Sequence, residues 1–530
     1  MEATGNPPRG TFPIRFRRGA NFPLALLLVF SWVLFAGHAR GILTCNDGST
    51  YALIQGIVHE RSFSINKRMW LTGGIDYSKR GDRCYSDRPP GTAFLAVPPY
   101  LLGAQLGLTF PSRQWGQAAL FGALLAPLLA GVVTVWLVYR LGLAMGAGNR
   151  ASLGAAAVYA TGSPAYIYSG TLFIHSVAGF SVTAAVLLTV FVKRHMCESG
   201  RARAPQGARP PLVLALLAGF AGGWSVLSDY SAIVLVPIYL AFVAWAGWRK
   251  RHLWSALLCW CAGAAAPAAV LGFYNWVCFG GPLVNSYRYN VAFPWTHSLS
   301  TTYVTPFGEG LMGLLYFLPE KSALGWLPTG QVFWSPVMHL AAAGYLAALA
   351  RRDTRRGALL ALAVLCAVIA LSAKHRTWYG GGTRDARYIF SVTPIWFSGL
   401  AIWFGLAPGR KRGAALRVGF WVLTCVLIAE TLALRSMWAA FGVAARLNLL
   451  SLQMPHAGAV AGGKAVGLWW EAEKWLFARW PRLLWLLAVG ILVALAAMLE
   501  YRRDASAAAS NEKTGPRKQG NRSRSDVRRR

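Results

Sequence analysis

A chain of 530 residues that is 55% hydrophobic and only 14% charged carries too much apolar sequence for a soluble core, and near-20-residue apolar runs recur from Asn21 to Glu500. Its 53 Lys and Arg against 19 Asp and Glu give a net charge of +34. The basic residues nevertheless fall in short clusters between apolar runs, as in the cytoplasmic loops of a membrane protein, which argues against nucleic-acid binding. These clusters are Arg15/Arg17/Arg18, Arg249-Lys250-Arg251, Arg351-Arg352, Arg355-Arg356 and Arg410-Lys411-Arg412.

Residues 1–21 form a basic cytoplasmic start, and the first apolar run is long enough to stay as an uncleaved anchor rather than a signal peptide. The run Thr92–Leu108 is short and contains Pro98-Pro99. Laid along the outer surface instead of crossing, it leaves every named basic cluster inside. Twelve spans follow, at about 22–39, 115–137, 151–168, 174–192, 211–228, 231–247, 253–274, 332–350, 358–373, 388–407, 414–434 and 483–500, with both termini cytoplasmic. The expected fold is thus an all-α polytopic bundle. Outer segments are expected at 40–114, 275–331 and 435–482, and residues 501–530 read as a disordered basic tail. Tyr51–Glu60 is apolar on one helical face and predicts an interfacial helix, while Trp469, Trp470 and Trp475 suit the headgroup level.

The first outer loop carries the densest chemistry. Asp47 is placed to accept a proton from an attacking hydroxyl, or to cap a helix beginning near Ser49. Asp87-Arg88-Pro89-Pro90 presents a guanidinium fork suited to phosphate beside a carboxylate that can orient a base or ligate a divalent metal; a surface ion pair at a proline turn is the plainer reading. Cys45 and Cys84 share this loop, where an oxidising compartment allows a disulfide. Further on, Arg384 and Arg387 lie in a glycine-rich outer loop with Lys374, His375 and Arg376, which the positive-inside bias disfavours unless the charge has a task such as binding phosphate. Asp229, His297, Glu309 and Glu430 are weaker candidates.

Taken in order, these elements resemble the GT-C glycosyltransferase superfamily, in particular the branch of protein O-mannosyltransferases and the lipid A aminoarabinose transferase. The matching pieces downstream are Asn275-Trp276-Val277-Cys278-Phe279-Gly280-Gly281-Pro282, Gly310–Leu315 with Trp334-Ser335-Pro336, and Trp378–Tyr388, so the likeness covers about residues 22–410. The resemblance implies inverting transfer of a sugar from a polyprenyl-monophosphate donor outside the cytoplasm. It implies Asp47 as general base and Asp87 and Arg88 in metal or phosphate binding; beside it, two arginines three apart among glycines point to Arg384 and Arg387 on the donor phosphate. Where family members often carry a carboxylate in the next outer loop, this chain has His175. A divalent metal is the one cofactor expected. Membrane lipids are the other partners, and the acceptor is left open among glycan, lipid and protein. Basic loops without long soluble domains fit a bacterial inner membrane, with the site facing the periplasm. The alternatives are an O-antigen ligase or polymerase acting on pyrophosphate-linked glycans, and a lipid or solute transporter.

Overall fold

In a computed structural model of the chain, the described residues are 21–39, 42, 44–106, 117–198, 211–248, 252–318, 327–328, 330–380, 385–407 and 414–453. The chain starts with α1 (Asn21–Gly37) and α2 (Cys45–Glu60), a hairpin of β1 (Tyr77–Arg80) and β2 (Arg83–Ser86), and α3 (Gly91–Leu106). Next come α4 (Gln117–Ala144), α5 (Asn149–Gly162), α6 (Ala165–Tyr168), α7 (Ile174–Glu198), α8 (Pro211–Ser228), α9 (Leu235–Gly247) and α10 (Leu253–Phe279). A looped region holds α11 (Leu299–Thr302), α12 (Phe307–Leu315), the short pair β3 (Phe317–Leu318) and β4 (Leu327–Pro328), and α13 (Gln331–Trp334). It ends in α14 (Met338–Ala350), α15 (Arg355–Lys374), α16 (Thr393–Gly405) and α17 (Ala414–Gln453).

This is a helical polytopic membrane fold. Among the described residues seven helices are long and apolar enough to cross a membrane, and Phe22–Gly37, Leu212–Ser228 and Met338–Ala350 are shorter apolar helices. Several expected spans are broken at their ends. The 151–168 segment stops at Gly162, because Pro164 cannot supply the next backbone donor. Ser335-Pro336 likewise separates α13 from α14. The span expected at 414–434 runs on, as one helix, to Gln453. Residues 1–20, Arg384, 454–482 of the third outer segment, the expected span 483–500 and the tail 501–530 lie outside the described residues.

Small residues bring the helices to backbone contact. A Cβ on Gly219 of α8 would sit 1.8 Å from Trp260 O of α10, and one on Gly263 would sit 1.9 Å from Leu216 O. Gly344 of α14 and Gly399 of α16 make the same reciprocal approach, at 2.1 Å from Gly399 O and 2.2 Å from Ala341 O. Where lipid gives no hydrophobic incentive for helices to associate, this close packing supplies dispersion instead.

The connecting segments gather at two ends of the bundle. At one end, Ser78 of the hairpin pairs with Asn290 and its hydroxyl donates to Ser286 O at 2.7 Å. There also, Arg376 N donates to Thr302 O at 2.7 Å. At the opposite end, Gly146 abuts Thr354, Gly357 abuts Met145, and Arg356 lies over Trp245. The basic residues at 351–356 are therefore at the end away from Asp87 and Arg88.

Candidate active site

The helix bearing Asp47 begins earlier than expected. Thr44 is its N-cap, and Asp47 is the third residue of a capping box rather than the cap itself. Asp47 Oδ1 accepts from both Thr44 N and Thr44 Oγ1 at 2.7 Å, and the side chain is fully buried. The first half of α2 is packed and buried from Asn46 to Ile54, whereas its second half is half-buried or exposed at Gln55 and Ile57–Glu60.

Asp87 and Arg88 lie directly beside this helix start. Asp87 Oδ1 accepts from Ser49 Oγ of α2 at 3.3 Å, and Oδ2 accepts from Asn290 Nδ2 at 2.9 Å. Ser286 Oγ donates to Asp87 O at 2.7 Å, so the second outer segment grips this turn through both backbone and side chain. Arg88 reaches Asp87 Oδ1 at 3.2 Å and Asp76 Oδ1 at 2.6 Å. With its amide turned carbonyl-first, Asn46 accepts from all three Arg88 nitrogens at 3.1–3.2 Å. The ion pair is thus no surface feature, and Arg88 joins the α2 start to the hairpin. Burial opposes the Arg88 charge, but Asp76 and Asp87 outweigh it and hold the guanidinium above its ordinary value. Burial pushes the Asp87 carboxyl up to about 7, against the pull of Arg88 and with the push of Asp76.

Arg387 approaches from the start of the segment before α16. Its guanidinium lies over the rings of Phe173 (5.3 Å) and Tyr388 (5.7 Å), and its Nε is buried with no hydrogen-bond partner among the described residues. His175, at the start of α7, packs edge-on against Tyr168 (5.2 Å), and its Nδ1 is likewise unpartnered. His175 is within electrostatic reach of both Arg387 and Arg88, and the two arginines are within reach of each other. Five of the expected site residues, Asp47, Asp87, Arg88, His175 and Arg387, therefore come from three distant stretches of chain to one end of the bundle.

One expectation is corrected. Cys45 and Cys84 are free thiols, so no bridge joins them. Cys45 Sγ faces Gly73, where a Cβ would sit 2.7 Å away, whereas Cys84 is on β2 opposite Lys79 with its N–H donating to Asn66 Oδ1 at 2.7 Å. Among the described residues no three His, Cys, Asp or Glu side chains come together. Both Asp87 oxygens are engaged by Ser49, Asn290 and Arg88.

Sequence reading missed Asp76, Asn46, Asn290, Gln331 and Arg435. Arg435 carried a usable signal, a charge at the end of an apolar span. The others look like ordinary loop residues until the chain folds.

No protein-family model matches this chain, and no curated protein is similar to it by sequence. Among solved structures, the oligosaccharyltransferase AglB from Archaeoglobus fulgidus, in complex with an inhibitory peptide and a dolichol-phosphate, superposes with a TM-score of 0.50 at 16% identity. The match covers 80% of this chain and 56% of AglB, so the chain spans little more than half of that enzyme's length. A second structure of the Archaeoglobus fulgidus oligosaccharyltransferase, tethered to an acceptor peptide containing the NVT sequon, matches with a TM-score of 0.50 at 15% identity, over 80% of this chain and 55% of its own. ArnT from Cupriavidus metallidurans, bound to undecaprenyl phosphate, aligns over 95% of this chain and 82% of its own at 13% identity, but its TM-score of 0.46 is too low to bear on the fold. Over 80% of its length the chain shares the fold of these oligosaccharyltransferase structures.

Proposed function

We propose that this protein is an inverting glycosyltransferase that moves a sugar from a polyprenyl-monophosphate donor to an acceptor at the outer membrane face. The observation that carries the reading is Arg387: a buried guanidinium with an unpartnered Nε, within reach of a second arginine. A buried cation with an unused donor favours an anion beside it. A lipid phosphate supplies that anion, and stabilising it as it departs lowers the barrier to breaking its bond to the sugar.

In this scheme the acceptor hydroxyl oxygen attacks the anomeric carbon as the bond to the phosphate oxygen breaks. The hydroxyl proton passes to Asp47, and the polyprenyl phosphate leaves with the bonding pair, met by Arg88 and Arg387. Thr44 keeps Asp47 oriented through two hydrogen bonds to Oδ1. Asp87 and Asp76 fix the fork of Arg88. Arg384, three residues before Arg387, is a further phosphate ligand in the proposal. No step passes through a metal. By its membrane helices and basic loops, the protein is assigned to a bacterial inner membrane with this end facing the periplasm.

The test is mass spectrometry of lipid-linked sugars in cells lacking the protein, complemented with wild type, Asp47→Asn or Arg387→Ala. One polyprenyl-monophosphate sugar should accumulate and be cleared by wild type alone. Accumulation of a pyrophosphate-linked glycan would assign the ligase or polymerase chemistry instead. Clearance by Asp47→Asn would remove Asp47 as the base.

A further inference from the structure

Ala386, directly before Arg387, is in the left-handed region at φ 49°. Among the described residues Arg61 is the other non-glycine in that region, and it caps the end of α2 as helix-terminal residues often do. Ala386 instead begins the 3-10 turn at Arg387–Val392. A non-glycine residue stays in this conformation only where its surroundings leave no other choice.

Those surroundings form a buried polar chain reaching α17. Asp385 O accepts from Gln331 Nε2 at 2.8 Å, and the Asp385 carboxylate accepts from the Tyr168 hydroxyl. Gln331 Oε1 accepts from Arg435 Nη2 at 2.7 Å. Arg435 is held in turn by Ser335 Oγ, which accepts from its Nε at 2.8 Å while donating to Gly162 O at 2.7 Å. Arg435, Gln331 and Asp385 are each no more than 1% exposed. Asp385 is within electrostatic reach of Arg435 on one side and Arg387 on the other.

A fully buried arginine beside an apolar bundle is costly unless it does something that a hydrophobic side chain would not. We infer that Arg435, acting through Gln331, is a positioning residue for Arg387: it holds the Asp385–Ala386–Arg387 turn left-handed and so aims the Arg387 guanidinium at the donor phosphate. This inference rests on the phosphate-binding role given to Arg387 above. Without the Gln331 bond to Asp385 O, Ala386 relaxes toward negative φ and Arg387 leaves its place over Phe173.

The test is binding of undecaprenyl phosphate to the full-length protein in nanodiscs, with undecaprenol as the uncharged control. The paired substitution Gln331→Met/Arg435→Met removes the relay while filling its space with apolar side chains, a replacement that buried ionic groups often tolerate. It should weaken undecaprenyl phosphate binding about tenfold, in the range of such coupling effects, and leave undecaprenol binding unchanged. Adding Ala386→Gly, which adopts the left-handed turn at no steric cost, should restore most of the loss. Gln331→Glu is the second variant: it keeps a partner for Arg435 but cannot donate to Asp385 O, and it should weaken binding in the same direction. Wild-type affinity in both relay variants, with Arg387→Ala still impaired, would overturn the relay alone. Loss that Ala386→Gly does not restore would do the same, since a general loss of packing has no reason to respond to glycine there. Wild-type affinity in Arg387→Ala would overturn the reading of the phosphate site and the relay with it.

Discussion

Arg88 meets two carboxylates with a single charge, and the shorter contact is to Asp76 at 2.6 Å rather than to Asp87 at 3.2 Å. Burial raises the Asp87 carboxyl from 3.8 to about 7, and Arg88, shared with Asp76, offsets it only in part. Between those values the folded protein holds a proton that the unfolded chain has released. This group's contribution to stability is thus complete below about pH 4 and is lost as pH rises through about 7. Thermal melts of wild type and Asp87→Asn from pH 4 to 8 should show wild type losing ground steadily across that window; a constant difference would mean that Asp87 titrates as an ordinary carboxyl. Asp76→Asn should narrow the window from above, because Asp76 is one of the groups pushing Asp87 up.

At the scale of elements, the first outer loop is tied by polar contacts where a disulfide was expected. The β1–β2 hairpin, the Asn66 side chain and the Asn290 amide do the holding. Both thiols should therefore take up alkylating reagent in denaturant without prior reduction, read as two modified peptides, with Cys45→Ser leaving non-reducing mobility unchanged. Asn290→Leu should cost about 1–3 kcal/mol by leaving the buried Asp87 Oδ2 without its donor, and should depress transfer as Arg88 loses its support. Motifs built on backbone geometry were legible in the sequence. Gly280 ends α10 at φ 85°, Asn275 closes that turn on Pro282 O at 3.2 Å, and Gly310 lets α12 reach Ala373 O, where a Cβ would clash at 1.8 Å. Asp47 was legible because a carboxylate just after a span is rare, although its capping partner was not. Gln331 and Arg435 lie 104 residues apart and meet only in the fold, which no local pattern encodes.

The whole molecule has a polarity. Asp47, Asp87, Arg88, His175 and Arg387 gather at one end, while Arg351, Arg352, Arg355 and Arg356 lie at the other, by the α4–α5 turn. Short basic loops resist export, which supports the proposal that the arginine end is cytoplasmic and the candidate site faces outward. On the proposed reading an outward site needs no nucleotide, since a lipid-carried sugar arrives already activated through its phosphate. Single cysteines at Asp82, in the turn of the hairpin, and at Asp353, between the arginine pairs, report on the two ends. In a background with the native cysteines replaced, a membrane-impermeant maleimide added to intact spheroplasts should label the Asp82→Cys protein and spare Asp353→Cys until the membrane is opened. The reverse pattern would put the site in the cytoplasm, where a soluble nucleotide sugar could serve as donor, and the polyprenyl-phosphate proposal would lose its main physical reason.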